Sequence, residues 1–343
     1  MFEQVANSQL IYALIALVVA CIISGVGTKL LIPFLKEHQL KQYVREVGPQ
    51  SHLSKTGTPS MGGIAITIAI IVATLVLAIV SENFSIGLAV VLVVMVLHAL
   101  MGFIDDYTKA TQKKNDGLSA KKKLLIQFLV SLGFAVFAYY YSGDYLTKFA
   151  FSEAVSNSSI YIPFWGGQLE LGWFYIPWVT FVMMAFSNSV NLTDGLDGLA
   201  SGVTTLVSFA MIIGGCALGY MDQPIFLGAM AGACIGFLFL NRHPAKIFMG
   251  DTGSMALGGG LAACCIMMKL EIVLAIAGLV YVCESLSVII QVTYFKATHG
   301  KRIFRMSPIH HHFELGGMPE QRVVYMFWAA TLVFSLIAIF SVR

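Results

Sequence analysis

Long apolar runs, broken by short polar stretches, set the pattern of this chain. A helix needs about 20 mostly apolar residues to cross a bilayer. Ten segments meet that need: Leu10–Leu35, Met61–Val80, Ile86–Ile104, Leu124–Tyr141, Trp173–Val190, Leu199–Leu218, Pro224–Leu240, Ser254–Leu270, Ile272–Phe295 and Val323–Val342. Polar and apolar positions do not alternate along them, which excludes a transmembrane β-barrel. The pattern predicts an all-α, polytopic integral membrane protein with ten transmembrane helices. No repeat, linker or low-complexity tract divides it, so residues 1–343 read as one membrane domain. Between the fourth and fifth spans, Ser159–Trp165 and Gln168–Gly172 flank Gly166-Gly167, a turn signal that predicts a small extracytoplasmic β-hairpin. Trp165, Trp173, Tyr175 and Trp178 crowd the same stretch, as an interfacial aromatic belt would.

Composition narrows the class. The chain is 57% hydrophobic and 11% charged, with a mean hydropathy of +0.80. So few charges cannot cover a water-facing surface, which excludes a cytosolic globular protein and a disordered one. A net charge of +3 gives no case for nucleic acid. Cys21, Cys216, Cys234, Cys264, Cys265 and Cys283 lie in apolar runs without a C-x-x-C pair and read as packing residues. No cleavable signal peptide is expected, because the first ten residues carry Glu3 and neither Lys nor Arg.

The placement of Lys and Arg sets the orientation. One set of alternate loops holds 17 of them: those from Lys36 to Lys55, Lys109 to Lys123, Arg242 to Lys246 and Lys296 to Arg322. The opposite side holds three, Lys148, Lys269 and Arg343. The positive-inside rule puts the 17-residue face in the cytoplasm and both termini outside. In the seventh span Gly228, Gly232 and Gly236 recur every fourth residue. Such a stripe serves either close packing within the chain or a homodimer face.

The acidic residues point to chemistry at the membrane surface. Only Glu284 falls well inside a span, whereas Asp105, Asp106, Asp194, Asp197 and Asp251 lie at cytoplasmic ends. A secondary transporter would carry its ionisable residues near the midplane. The distribution favours an enzyme working at the membrane–cytosol boundary, with a transporter as the other class.

Asp105-Asp106 closes the third span. Acids there oppose the helix dipole and repel each other, so a compensating cation is expected. Adjacent helix positions do not face each other, which predicts different jobs for the two. Asn188, Asn191, Asp194 and Asp197 recur every third residue and would align only in 3₁₀ geometry. Together they offer several hydrogen bonds to a polar ligand. Asn241 to Gly250 leads into Asp251 and Ser254, where the eighth span begins. Free N–H groups at a helix start suit phosphate, and an ionised Asp251 beside phosphate suits Mg²⁺. His310, His311 and His312 lie in the last cytoplasmic loop. In an extended chain only His310 and His312 would share a side. That argues against a tri-His zinc site and for imidazoles that bond phosphate or protonate a leaving group. Lys55 precedes a turn forced by Pro59 and glycines, within reach of an anion. Lys121 to Lys123 carry positive-inside charge, and one of them can bind phosphate.

Lys55–Gly63, Phe103–Tyr107, Asn188–Gly198, Phe248–Ser254 and Ser307–Leu315 together resemble the polyprenyl-phosphate N-acetylhexosamine-1-phosphate transferases, in that family's order and each on the cytoplasmic face. The run Pro308–Leu315 resembles the muramoyl branch in particular, with the N-acetylglucosamine-1-phosphate branch as the alternative. Ser60 stands where the family pattern has Thr, and the hydroxyl is kept. The resemblance implies a multi-pass enzyme of the bacterial inner membrane. Its substrates would be UDP-N-acetylmuramoyl-pentapeptide and undecaprenyl phosphate, its products UMP and lipid I, and its cofactor Mg²⁺. It implies that Asp251 holds Mg²⁺, with Asp105 and Asp106 near the lipid phosphate and metal. Lys121, His310, His311 and His312 would hold phosphates or help UMP leave. Lys55, Ser60, Gly250 and Ser254 would touch substrate. Asn188, Asn191, Asp194, Asp197, Asn241, Phe248 and Gln291 would line the nucleotide pocket, with Phe248 stacked on uracil. A lipid phosphate is largely dianionic at neutral pH, which favours direct in-line attack over an aspartyl-phosphate intermediate.

Overall fold

The computed structural model describes residues 2–38, 55, 57–112, 117–142 and 156–342. Lys41, Arg45, Lys113, Lys114, Lys148 and Arg343, all part of the charge count, lie outside the described residues. The apolar runs are helices: α1 (Phe2–Glu37), α2 (Gly63–Val80), α3 (Ile86–Gln112), α4 (Ala120–Tyr141), α5 (Tyr175–Thr193), α6 (Leu199–Ala217), α7 (Gln223–Asn241), α8 (Gly250–Met267), α9 (Glu271–Ala277), α10 (Leu279–Ala297), α11 (Ile309–Glu314) and α12 (Glu320–Ser341). Two short strands, β1 (Ser159–Tyr161) and β2 (Gln168–Glu170), pair antiparallel with Ile160 opposite Leu169.

Helix α8 is the axis of the bundle. Every residue from Thr252 to Met267 is buried. Missing side chains let its neighbours touch backbone. A Cβ placed at Gly63 of α2 would lie 2.0 Å from the Gly253 nitrogen, and one at Gly102 of α3 would lie 2.2 Å from the Asp251 carbonyl oxygen. On α8 itself, a Cβ at Gly258 would lie 2.6 Å from the Phe186 carbonyl oxygen of α5. Small residues permit this closeness where lipid supplies no hydrophobic drive between helices.

Hydropathy sorts which helices read as spans. Eight helices among the described residues are long and apolar enough to cross a membrane. The other two expected spans, α5 and α8, fall short of that measure. Polar and small residues lower their hydropathy: Ser187, Asn188, Ser189 and Asn191 in α5, and a run of Gly, Ser and Thr with Asp251 in α8. Helix α3 runs to Gln112, so Asp105 and Asp106 sit in its body rather than at its end. Lys109, one turn on, meets Asp105 at 2.6 Å and offsets that carboxylate. The expected ninth span is divided at Gly278, whose N–H returns to the Leu274 carbonyl at 2.8 Å and closes α9.

The glycine stripe of α7 packs within the chain. Cβ atoms at Gly228, Gly232 and Gly236 would lie 2.1, 2.0 and 2.2 Å from the carbonyl oxygens of Ala13, Leu17 and Cys21 on α1. All six cysteines are free, and four of them are buried.

The sheet sits at the far end of α8 from Asp251. Tyr161 N–H donates to the Lys269 carbonyl at 3.2 Å. The buried Lys269 ammonium donates to the Asn157 carbonyl at 2.5 Å and to the Tyr175 hydroxyl at 2.9 Å. At 1.5 Å per residue the 18 residues of α8 separate its two ends by about 27 Å. That is close to the hydrocarbon thickness of a bilayer, about 30 Å.

Candidate active site

The close approach of α3 to α8 gathers three carboxylates. Asp106 caps α8 from outside. Its Oδ1 accepts from the Asp251 N–H at 3.0 Å, and its Oδ2 accepts from the Thr252 N–H at 2.9 Å and the Thr252 hydroxyl at 2.7 Å. Two of the N–H groups expected to be free for phosphate are therefore taken, because an acid from another helix supplies the negative charge that a helix start favours. Asp105 turns elsewhere. Its Oδ1 accepts from the Leu118 N–H at 2.8 Å, and its Oδ2 meets Lys109 at 2.6 Å and Lys123 at 3.6 Å. Asp251 Oδ2 meets the same two ammoniums, Lys123 at 2.5 Å and Lys109 at 3.1 Å. The two lysines thus bridge Asp105 and Asp251, while Asp106 is held by backbone.

The Asn188–Asp197 run divides among three tasks, since α5 stays α-helical to Thr193 and does not align its members. Asn188 donates to Gln127 Oε1 of α4 at 2.9 Å. Asn191 donates to Asp251 Oδ1 at 2.8 Å and to the Ser254 hydroxyl at 2.9 Å. Asp194, just past the helix, is held well above the usual carboxylate range, first by desolvation and then by the charges of Asp251, Asp106 and Asp197. Asp197 belongs to a second cluster. It meets Lys55 at 2.7 Å and His243 Nδ1 at 3.1 Å, and Lys55 also meets Glu320 at 2.5 Å. This cluster lines a cavity of about 740 Å³ with Thr58, Glu314 and Gln321.

The remaining residues fall nearer to or farther from the carboxylates. The turn before α2 is clamped to the approach to α8: Phe248 N–H donates to the Pro59 carbonyl at 2.8 Å, and Gly62 N–H to the Phe248 carbonyl at 2.9 Å. The Phe248 side chain is half-buried. Gly250, at φ 74°, leaves room that a Cβ would fill at 2.4 Å from Asp106 Oδ2 and 3.0 Å from the Ser60 hydroxyl. Lys121 is exposed; the lysine of that run which reaches the carboxylates is Lys123. Asn241 spends its amide on Gly198 N–H and the Ile247 carbonyl. Gln291 spends its own on the backbone of Ile303 and Phe304. Both hold loops rather than reach the carboxylates.

The histidines are helical, not extended. His310 is fully buried, His311 Nδ1 lies 2.8 Å from Glu314 Oε2, and His312 Nδ1 accepts from the Arg305 N–H at 3.1 Å. Pro308, at the start of α11, favours this turn by its fixed backbone angle.

The model for glycosyl transferase family 4 matches residues 88–269, the stretch from α3 to the end of α8 that carries the three carboxylates. The chain is also 45% identical to the phospho-N-acetylmuramoyl-pentapeptide-transferase of Halalkalibacterium halodurans, over 95% of this chain and 96% of that one. The chain belongs to glycosyl transferase family 4. The protein of the same description from Listeria monocytogenes serovar 1/2a is 44% identical over 94% of this chain and 95% of its own. That from Thermoanaerobacter sp. strain X514 is 42% identical over 96% and 98%.

Within this family member, the three carboxylates suit a hard divalent cation. Asp105, Asp106 and Asp251 offer oxygens within 4.8 Å of one another. An all-oxygen, acid-rich set matches Mg²⁺ or Mn²⁺ better than softer metals. Asp197, His243 and Glu320 have comparable spacing, but their imidazole suits softer transition metals better than Mg²⁺.

The cap also makes a prediction. Asp106→Ala strands the buried Thr252 N–H and the Asp251 N–H, which should cost about 1–3 kcal/mol. Thermal unfolding in detergent should show this loss. An unchanged unfolding temperature would mean that Asp106 does not hold α8.

Proposed function

We infer that this chain transfers phospho-N-acetylmuramoyl-pentapeptide from its UDP carrier to undecaprenyl phosphate, giving lipid I and UMP in the first membrane step of peptidoglycan synthesis. The observation that carries the reading is 42–45% identity, over nearly the whole chain, to relatives described as phospho-N-acetylmuramoyl-pentapeptide-transferases. The site supports its chemistry. Both reactants are phosphate anions, so their mutual repulsion is the main obstacle, and fixed positive charge relieves it.

Asp251 and Asp105 would hold Mg²⁺, with Asp106 fixing the start of α8 beneath them; when bound, the ion neutralises charge on the transferring phosphoryl group. Lys109 and Lys123, now spent on the carboxylates, are then available to the phosphates. A phosphate monoester has its second pKa near 6, about one unit below neutrality, so the lipid phosphate needs no strong base. Its oxygen attacks the sugar-linked phosphorus, and the bond to the UMP oxygen breaks. Asp106 accepts three hydrogen bonds from the first turn of α8, which makes it a poor covalent nucleophile and supports direct attack. Asn191, Asp194, Asp197, Lys55, Ser60 and Phe248 would contact the nucleotide and sugar. One phosphoanhydride replaces another, so the reaction is reversible.

The same reading takes α1 to α8, the α9–α10 pair and α12 as ten crossings of a bacterial inner membrane. Both termini and the β1–β2 hairpin would lie outside and the carboxylates would face the cytoplasm. The 17-to-3 asymmetry of Lys and Arg supports it. A cysteine at Gln321 should react with an impermeant thiol reagent only from the cytoplasmic side, and one at Gln168 only from outside. The reverse labelling would overturn the orientation.

Activity has a direct assay. Purified protein should release UMP from UDP-N-acetylmuramoyl-pentapeptide only with a polyprenyl phosphate and Mg²⁺ present. Asp251→Asn should lower that rate by at least about a hundredfold, as loss of a group that stabilises developing charge does. No release from the complete mixture would refute the function. Turnover with UDP-N-acetylglucosamine instead would assign the other branch. Near-normal activity of Asp251→Asn at saturating Mg²⁺ would remove Asp251 as the ligand.

A further inference from the structure

The one acid deep within a span has a partner from the histidine run. Glu284 on α10 and His310 on α11 are both fully buried, and His310 Nδ1 lies 3.1 Å from Glu284 Oε2. A carboxylate at this depth is costly unless a donor or cation meets it. The other ring nitrogen points the opposite way. A Cβ placed at Gly195 would lie 2.3 Å from His310 Nε2 and 2.8 Å from the neighbouring ring carbon. The imidazole is therefore wedged between an acid on α10 and the turn at 194–198, which joins α5 to α6 and carries Asp194 and Asp197. Gly195 permits that approach because it has no side chain.

Helix α11 has six residues, too few for its own hydrogen bonds to hold it. Its place depends on side-chain anchors. Phe313 packs edge-on against Phe327 of α12 at 6.0 Å between ring centroids. That contact tethers one face of α11, and the Glu284–His310 contact fixes the other.

We propose that Glu284 is a positioning residue: it holds the His310 ring against Gly195 and so docks α11 on the turn that bears Asp194 and Asp197. His310 has no exposed surface and acts through that turn rather than by touching phosphate. The proposal rests on the proposed function only for its kinetic readout. Its structural readout needs no substrate.

The test is hydrogen–deuterium exchange of the full chain in detergent, followed in residues 194–198 and 309–315, with steady-state kinetics alongside. Glu284→Leu leaves the ring unanchored, and Gly195→Ala pushes it out from the opposite side while leaving the acid in place. Each should accelerate exchange in both segments by about tenfold or more, as loss of a local anchor does. Each should raise KM for the UDP-linked donor more than it lowers kcat. Glu284→Gln keeps an acceptor and should hold exchange close to that of the unaltered chain. Unaltered exchange in both segments in Glu284→Leu, or in Gly195→Ala where the former fails to fold, would overturn the proposal. Because exchange is read without substrate, absence of UMP release would count against the proposed function and leave this result standing.

Discussion

One backbone contact organises the site: α3 lies against the first turn of α8 at Gly102. No side chain fits there, since a Cβ would meet the Asp251 carbonyl at 2.2 Å and the Thr252 nitrogen at 2.6 Å. With the helices this close, the carboxylate one turn beyond Gly102 reaches the open N-terminus of α8, and Asp106 becomes its cap. Asp105, its neighbour in sequence, is rotated away by the helical turn and meets lysines instead. Two adjacent acids thus take a structural and an electrostatic role from a single geometric constraint.

That arrangement concentrates like charge, and the molecule offsets it in two ways. Lys109 and Lys123 sit between Asp105 and Asp251. Asn191, the Leu118 N–H and the first turn of α8 satisfy the remaining oxygens. Among the described residues no lysine meets Asp194, and desolvation with the charges of Asp251, Asp106 and Asp197 raises its pKa. The result is a site whose acids are already oriented before any ligand arrives, so little reorganisation is left for the reaction. Burying α8 inside the bundle makes this possible, because a helix that faces protein can carry Gly, Ser, Thr and Asp where a lipid-facing one cannot.

The sequence made the helical class readable because lipid-facing surfaces must be apolar: α1, α4, α10 and α12 stand out for that reason. It overstated uniformity elsewhere. Gly278 divides one run, and α3 continues past Asp105 to Gln112 with Lys109 meeting that acid, an i,i+4 spacing that was legible. Lys123 was not legible, since lysines on the positive face also serve topology and only folding shows which one reaches Asp251. Nor could spacing show that Asp106 takes the N–H groups of α8, because a cap donated by another helix leaves no local pattern. The three-residue rhythm of Asn188 to Asp197 suggested one surface, but the helix sends Asn191 and Asp197 to different clusters. Asn241 and Gln291, expected at the nucleotide pocket, also fasten loops through backbone hydrogen bonds, a use that leaves no pattern in the sequence.

The central proposal is that the Gly102 contact builds a divalent-cation site from Asp105 and Asp251, with Asp106 fixing the start of α8 beneath them. Mn²⁺ titration followed by electron paramagnetic resonance tests it without any substrate. The account predicts one specifically bound Mn²⁺ per chain, with affinity reduced by about tenfold or more in both Asp251→Asn and Gly102→Ala, the range seen when a ligand or its support is disturbed. Equal Mn²⁺ binding by all three proteins would contradict it.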